Sequence, residues 1–411
     1  MDIENLARGG LDWLVGSARE TDTSNGLGWA DTADDERNST LYSGAAGIVL
    51  ALLEGREHFG DDRYGDVAVR GARTVAASVD ACADSSLYLG LTGMAVALRA
   101  ANDLLGDAAA GAAADRAMDR VRGQFDGTRW GNWFELLAGN AGIALGALAT
   151  GDVELAVLAV EPYLRTAERS AGGVNWEVLS GVSARFHHMS HGTLGIAYAL
   201  AAVGRAADRP DLRELAVAGA SDVVARNEAG PAGFLVPHSD PQHSPAHTDR
   251  YSYGWCHGPT GDAQAFRLLA AALQDPVWQA HADQCWHTVT RSGLPQRLRP
   301  GFWDNNGRCC GTAGVLALAC DRHVEHRDGL DFAHILAADL ASRATQDADG
   351  ARWSNVEHRA IPNTLEPRPG WAMGNAGILR ELLRYARIGT GRDAGYAVDL
   401  PDHPVARPGQ S

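Results

Sequence analysis

The chain is poor in cysteine, in positive charge and in long apolar runs, and each shortage closes off a class. Six cysteines in 411 residues are too sparse for a disulfide-stapled scaffold and suit a reducing compartment. Lysine and arginine number 36 against 51 acids, a net charge of −15. The basic face that nucleic acid or an anionic membrane requires is therefore missing. Nowhere do ~18 consecutive apolar residues mark a membrane span. The opening MDIENLARGGLDWLVGSA lacks the basic-then-apolar pattern of a secretory signal. These absences lead to the expectation of a cytoplasmic protein with reduced thiols. Strand signals are almost absent as well, with no alternating run of β-branched residues bounded by hairpin turns. What remains, 45% apolar residues, is ample for a helical core.

Glycine, at 48 residues, is abundant and is placed in a pattern. A G-x-x-G phrase running into an Ala/Leu/Ile-rich, proline-free stretch starts at Gly44, Gly90, Gly139, Gly192, Gly258, Gly311 and Gly374. Examples are YSGAAGIVLALL, LLAGNAGIALGAL and WAMGNAGILRELLRYA. Each reads as the entry of an apolar inner helix. The intervals leave room for a second helix, and amphipathic runs at 65–79, 154–168, 213–227, 275–290 and 330–344 fill five of them. The first and last phrases are as apolar as the middle ones, so the polar capping repeats of an open solenoid are missing. The fold class expected is all-α, an α/α toroid of seven helical hairpins with the G-x-x-G phrases at the inner-helix entries. It forms one domain over 1–411, with repeats over about 40–388 and short extensions at each end. Glycine suits crowded turns at such entries, and helix N-termini gathered there favour an anion such as thiolate.

Most phrases place small or apolar residues around the first glycine, and three depart from this. Repeat four carries His191, repeat five Cys256 and His257, and repeat six Cys309 and Cys310. These positions share one register of the repeat, and cysteine with histidine is the ligand set of zinc. Cys82, Cys285 and Cys320 read instead as small core residues. The Pro/His-rich segment 231–254 reads as a solvated loop, since His238, His243 and His247 lack a tight ligand spacing.

The ordered phrases, with WCHGPTG, RCCGTAG and SHGTLGI among them, resemble the lanthionine synthetase C-like family over roughly residues 40–388. The resemblance implies an α/α toroid holding one zinc ion, with Cys256 and Cys309 as two of its ligands. Where the family has histidine as third ligand this chain has Cys310, as do some family domains inside larger synthetases. His257 stands as the alternative third ligand. It occupies a place where the bacterial cyclases usually have tyrosine and the eukaryotic relatives histidine. The activity implied is addition of peptide cysteine thiols to dehydroalanine or dehydrobutyrine, with His191 handling the proton. Glu135 stands where the family has aspartate, and would orient His191 or protonate the enolate; His257 would assist proton transfer. The family's active-site arginine is out of register, the nearest being Arg250. Partners implied are a dehydrated precursor peptide and a dehydratase, with no nucleic acid. Addition of a small thiol such as glutathione, or a non-catalytic peptide-binding scaffold, are the alternatives. A glycosidase would need two opposed carboxylates, and a prenyltransferase a basic diphosphate pocket.

Overall fold

A computed structural model describes residues 2–30, 38–246, 248–296, 305–356 and 364–403; His247 lies outside them. The chain forms α1 (Ile3–Ser17), then α2 (Ala45–Phe59) with α3 (Asp62–Ser78), and α4 (Leu91–Leu105) with α5 (Ala108–Gly123). It continues through α6 (Asn140–Ala149) with α7 (Val153–Thr166), α8 (Thr193–Ala206) with α9 (Pro210–Val224), and α10 (Pro259–Leu273) with α11 (Pro276–Arg291). It ends on α12 (Thr312–His326) with α13 (Asp331–Arg343), and α14 (Asn375–Gly389). The described strands are short antiparallel pairs, such as Arg185–Phe186 with Ser239–Asp240. No helix among the described residues is long and apolar enough to cross a membrane.

Two compact units emerge, one of residues 1–82, 93–117 and 294–411, the other of 83–92 and 118–293. In the second, α6, α8 and α10 pack on their own partners α7, α9 and α11, and α8 also packs on α6 and α10. In the first, α14 packs against both α2 and α12. The phrase helices are buried nearly all round, whereas α3 buries only Tyr64, Ala68, Ala72, Val75 and two glycines. That is the division between inner and amphipathic outer helices read from the sequence.

Two outer helices were not legible. The Ala-rich α5 buries Ala110, Ala113, Ala114, Ala117, Met118 and Val121, a stripe that alanine on its exposed side conceals in sequence, and α1 lies in what reads as an N-terminal extension. α1 packs along α14, giving the last phrase helix a partner from the other end of the described residues. A Cβ on Gly10 would run into Leu379 of α14, and one on Gly55 of α2 into Leu11. Glu4 adds contacts to His58 at 2.8 Å and to Arg392 at 3.0 Å.

The phrases have an internal logic that spacing alone does not reveal. An inner helix starts with backbone N–H groups that no preceding turn satisfies, and most of these glycine-led entries carry no side-chain cap. The loop before the helix folds back and offers its own carbonyls. Leu91 N–H donates to Asp84 O at 2.8 Å, Leu194 to His187 O at 3.0 Å, Thr312 to Asn305 O at 3.1 Å and Asn375 to Arg368 O at 2.8 Å. This loop leaves no room for a side chain at the second glycine. A Cβ on Gly142 would run into Leu136 O, on Gly195 into Met189 O, and on Gly261 into Trp255 O. The glycines thus serve close approach within their own phrase.

Gly142→Ala is therefore expected to cost on the order of 2–4 kcal/mol in denaturant unfolding. Gly16→Ala, in α1 with open space around it, should stabilise by about 0.5–1 kcal/mol. Equal effects of the two substitutions would contradict this account of the phrase.

Candidate active site

Within each unit the residues two places before the first glycines are tied by their backbones from one phrase to the next. In the second unit Tyr88 N–H donates to Leu137 O at 3.1 Å, Leu137 to Ser190 O at 3.2 Å, and Ser190 to Cys256 O at 3.3 Å. In the first unit Cys309 N–H donates to Ala372 O and Ala372 N–H to Tyr42 O, each at 2.8 Å. The equal register inferred from the repeat is thus a hydrogen-bonded ladder. Cys256 and Cys309 are rungs of it, and His191, His257 and Cys310 each follow a rung directly.

In the second unit Glu135 is fully buried and accepts the N–H groups of Leu137 at 2.6 Å and Ala138 at 2.8 Å. Its Oε2 also lies 3.5 Å from His191 Nδ1, ion-pair range and long for a hydrogen bond. His191, partly exposed, stacks on His257 at 5.0 Å between ring centres and faces Trp133 at 5.4 Å. The structure thus brings Glu135, His191 and His257 together.

His257 Nε2 stands 3.2 Å from His238 Nε2, a contact that corrects the solvated-loop expectation for 231–254. Phe234, Val236, His238 and Ser239 are buried, and only the later part of the segment is largely exposed. His238 is held against Phe186, on the strand that its own neighbours Ser239 and Asp240 pair with. His243 also contacts Phe186. The Arg250 side chain is exposed and bound to Glu228 and Tyr251, while its carbonyl accepts from His238 N–H at 2.8 Å.

Burial governs the protonation of these imidazoles. It pushes His187 down to about 2, helped by Arg226 and the nearby histidines, and His238 down to about 3, helped by His188, His191 and His243. Burial first, then His238, keeps His257 well below its ordinary value. Beneath them His188 Nδ1 bonds Asp262 at 2.8 Å, both buried. Burial raises the Asp262 carboxyl, and His188 partly opposes it.

In the first unit Cys309 and Cys310 are buried, their sulfurs 3.3 Å apart. The Tyr42 hydroxyl donates to Cys309 Sγ at 3.7 Å. Tyr42 was not singled out from sequence, although it occupies the same rung position as Cys309. No cysteine is in a disulfide. Cys285 and Cys320 are core residues as expected, burial pushing Cys320 up to about 12 and Cys285 well above its ordinary value. Cys82 departs from that expectation, being half-buried at the end of α3.

Helix entries made of glycine loops, hydrogen-bonded from phrase to phrase within each unit, define a helical-hairpin protein that carries thiols and imidazoles at its loop tips. The family model for lanthionine synthetase C-like protein matches residues 35–234 and 242–335, and the chain belongs to that family. Nisin cyclase shares the fold at a TM-score of 0.64 and 15% identity, over 90% of this chain and 94% of that one. The fold class is accordingly the all-α toroid expected from the phrases. An unsaturated glucuronyl hydrolase specific for heparin follows at a TM-score of 0.52 and 12% identity, over 95% and 98% of the two chains. An inactive variant of the α-1,6-mannanase GH76A of Salegentibacter sp. HEL1_6 has a TM-score of 0.50 and 12% identity, over 94% and 99%. These likenesses concern the fold alone. No curated protein matches the sequence.

His187 and His238 have a measurable consequence. Both stay neutral when folded, while the unfolded chain takes up protons below pH ~6.5. Their contribution is therefore complete above that value and is lost as pH falls toward about 3 for His238 and about 2 for His187. Each adds about 1.4 kcal/mol per pH unit to the acid slope. Urea unfolding between pH 7 and pH 5 should show a shallower slope in His187→Leu, whose removed nitrogens have no hydrogen-bond partner. An unchanged slope would mean that His187 protonates in the folded protein.

Proposed function

We propose that the chain is a zinc-dependent cyclase that adds peptide cysteine thiols to dehydroalanine and dehydrobutyrine residues, forming (methyl)lanthionine thioethers. The observation that carries this reading is the pair of cysteines, Cys256 and Cys309, on ladder rungs of a lanthionine synthetase C-like chain. Cys256, Cys309 and Cys310 are the proposed ligands. Their chemistry fits the ion: three buried thiols, none oxidised to a disulfide. The Cys309 and Cys310 sulfurs, 3.3 Å apart, are close enough for both to serve one ion. Zinc held there supplies a Lewis acid that lowers the pKa of a peptide thiol from ~8.5 and makes thiolate available near neutral pH.

Three thiolates carry about one more negative charge than two thiolates and an imidazole, which favours a more nucleophilic substrate sulfur. The Tyr42 hydroxyl, donating to Cys309, offsets part of that charge. In the addition a carbon–sulfur bond forms at the β-carbon, the double bond becomes an enolate, and a proton is delivered to the α-carbon. No oxidant or reductant is consumed. His191 is the proposed proton carrier. Glu135, locked by two backbone N–H groups, favours the tautomer with hydrogen on Nδ1, so that Nε2 takes up the proton lost by the thiol and then delivers it to the α-carbon. His257 stacks on His191 and limits its ring to one orientation.

His257 favours the small-thiol alternative, in which glutathione supplies the sulfur, whereas Cys310 does not. A glycosidase reading lacks support, since Glu135 is engaged by its own turn and Asp262 by His188. We place the dehydrated precursor peptide as substrate, a dehydratase as the reaction that supplies it, and the cytoplasm as the location.

Incubation of the protein with a dehydrated cysteine-containing peptide, with and without glutathione, tests this reading by mass spectrometry. Loss of maleimide-reactive thiol at unchanged mass supports the cyclase. Gain of the glutathione mass supports the alternative, and neither change leaves a peptide-binding scaffold. Purified protein should hold about one zinc per chain, lost or sharply weakened in Cys256→Ala and Cys310→Ala. Zinc retained in Cys310→Ala would make His257 the third ligand. His191→Ala should keep its zinc while turnover falls on the order of 10²–10⁴-fold.

A further inference from the structure

The residue directly before the vicinal cysteines is an arginine as deeply buried as any core side chain. Arg308 is 1% exposed. Its Nε donates to Glu381 of α14 at 2.9 Å, and one terminal nitrogen reaches His403 Nδ1 at 3.0 Å. His403 lies in the segment that follows α14 and is 3% exposed. A guanidinium has no acceptor, so His403 Nδ1 must accept and the imidazole proton sits on Nε2. That nitrogen donates to Asp321 of α12 at 2.8 Å, and Asp321 also takes Arg384 at 2.7 Å. Tyr396, from the same segment as His403, donates to the second Glu381 oxygen at 2.6 Å.

The segment after α14 is thereby fastened to the neighbour of Cys309. On the other side the Cys309 N–H is fixed to Ala372 O at 2.8 Å. The turn bearing the two thiols is gripped by its backbone on one side and through Arg308 on the other. A buried ion cluster contributes little net stability compared with apolar packing, but its directional bonds specify one geometry. Resting on the zinc reading above, we infer that His403 is a positioning residue for the metal site. By fixing the Arg308 guanidinium it sets the Cys309–Cys310 turn in the conformation that takes up the ion. Groups that orient metal ligands in this way govern affinity even though they never touch the metal.

Three variants separate positioning from packing. His403→Asn places an amide oxygen where Nδ1 accepts from Arg308 but does not reach Asp321. His403→Gln reaches toward Asp321 and gives up the Arg308 bond, and His403→Ala removes both. Zinc affinity is measured by chelator competition, and the site's symmetry by the cobalt(II)–thiolate charge-transfer spectrum. Maleimide labelling of the metal-stripped chain, mapped to the peptide holding Cys309 and Cys310, reports the turn itself. We expect Ala and Gln to weaken zinc about 10–100-fold and to label faster, with Asn restoring both. Equal affinity and labelling in all four proteins, or rescue by Gln and not Asn, overturns the proposal. If His403→Ala does not fold, the Asn and Gln pair decides. A wild type that binds no zinc, with labelling still faster in Gln than in Asn, defeats the zinc reading and leaves the positioning role standing.

Discussion

Everything at the loop tips depends on backbone hydrogen bonds that run from one phrase to the next. Within each unit the N–H of one rung residue donates to the carbonyl of the next, which fixes where the following side chain leaves the backbone. Within the second unit this presents His191 and His257 beside each other; within the first it links Cys309 through Ala372 to Tyr42. The ladder in turn needs each phrase to fold back on its own helix. That fold is closed by carbonyls satisfying the helix N–H groups and is passable only where the second residue of the pair has no Cβ. A glycine requirement, a capping requirement and a register requirement are thus met by one short loop, which explains why the phrase recurs with little change.

Polar burial is concentrated in two places, and each has a different electrostatic character. The imidazoles around His238 and His257 are kept neutral by burial and by one another, so they serve as hydrogen-bonding and stacking surfaces. Around α14 the groups are ionic: Glu54, Asp321 and Glu381 face Arg308, Arg380, Arg384 and Arg387. Leaving one such charge unpaired would be costly, and the partners come from α2, α12, α14 and the segment after it. The second arrangement therefore ties distant parts of the chain to one another, and the Cys309–Cys310 turn lies at its edge.

Much of this was readable in residue order. The seven glycine phrases gave the inner helices, and amphipathic periodicity gave five of the outer ones, because both signals are local. α5 escaped since alanine lies on its exposed face as well as its buried one and blurs the stripe, and α1 escaped since its apolar face is complementary to α14 at the other end of the chain. At the site, His191, His257 and three of the cysteines stood out through their common register, and Glu135 through the family resemblance. His238 did not. A proline- and histidine-rich loop reads as solvated, and only the cover of Phe186 and the contact with His257 make it part of the cluster. Tyr42 shared the register but carried no ligand chemistry that would single it out.

The repeat, the helix entries and the chemical inventory of the loop tips follow from the order of residues, since glycine spacing and helix start signals act over a few residues. Three things came from packing alone. They are the pairing of α1 with α14, the direction of the backbone ladder, and the placing of Arg308 between Glu381 and His403. Each joins groups far apart in the chain through hydrogen bonds or shape complementarity, and neither of these leaves a periodic trace in sequence. Burial, which keeps some imidazoles neutral and some thiols inert, is likewise a property of the surroundings and is absent from the residue itself.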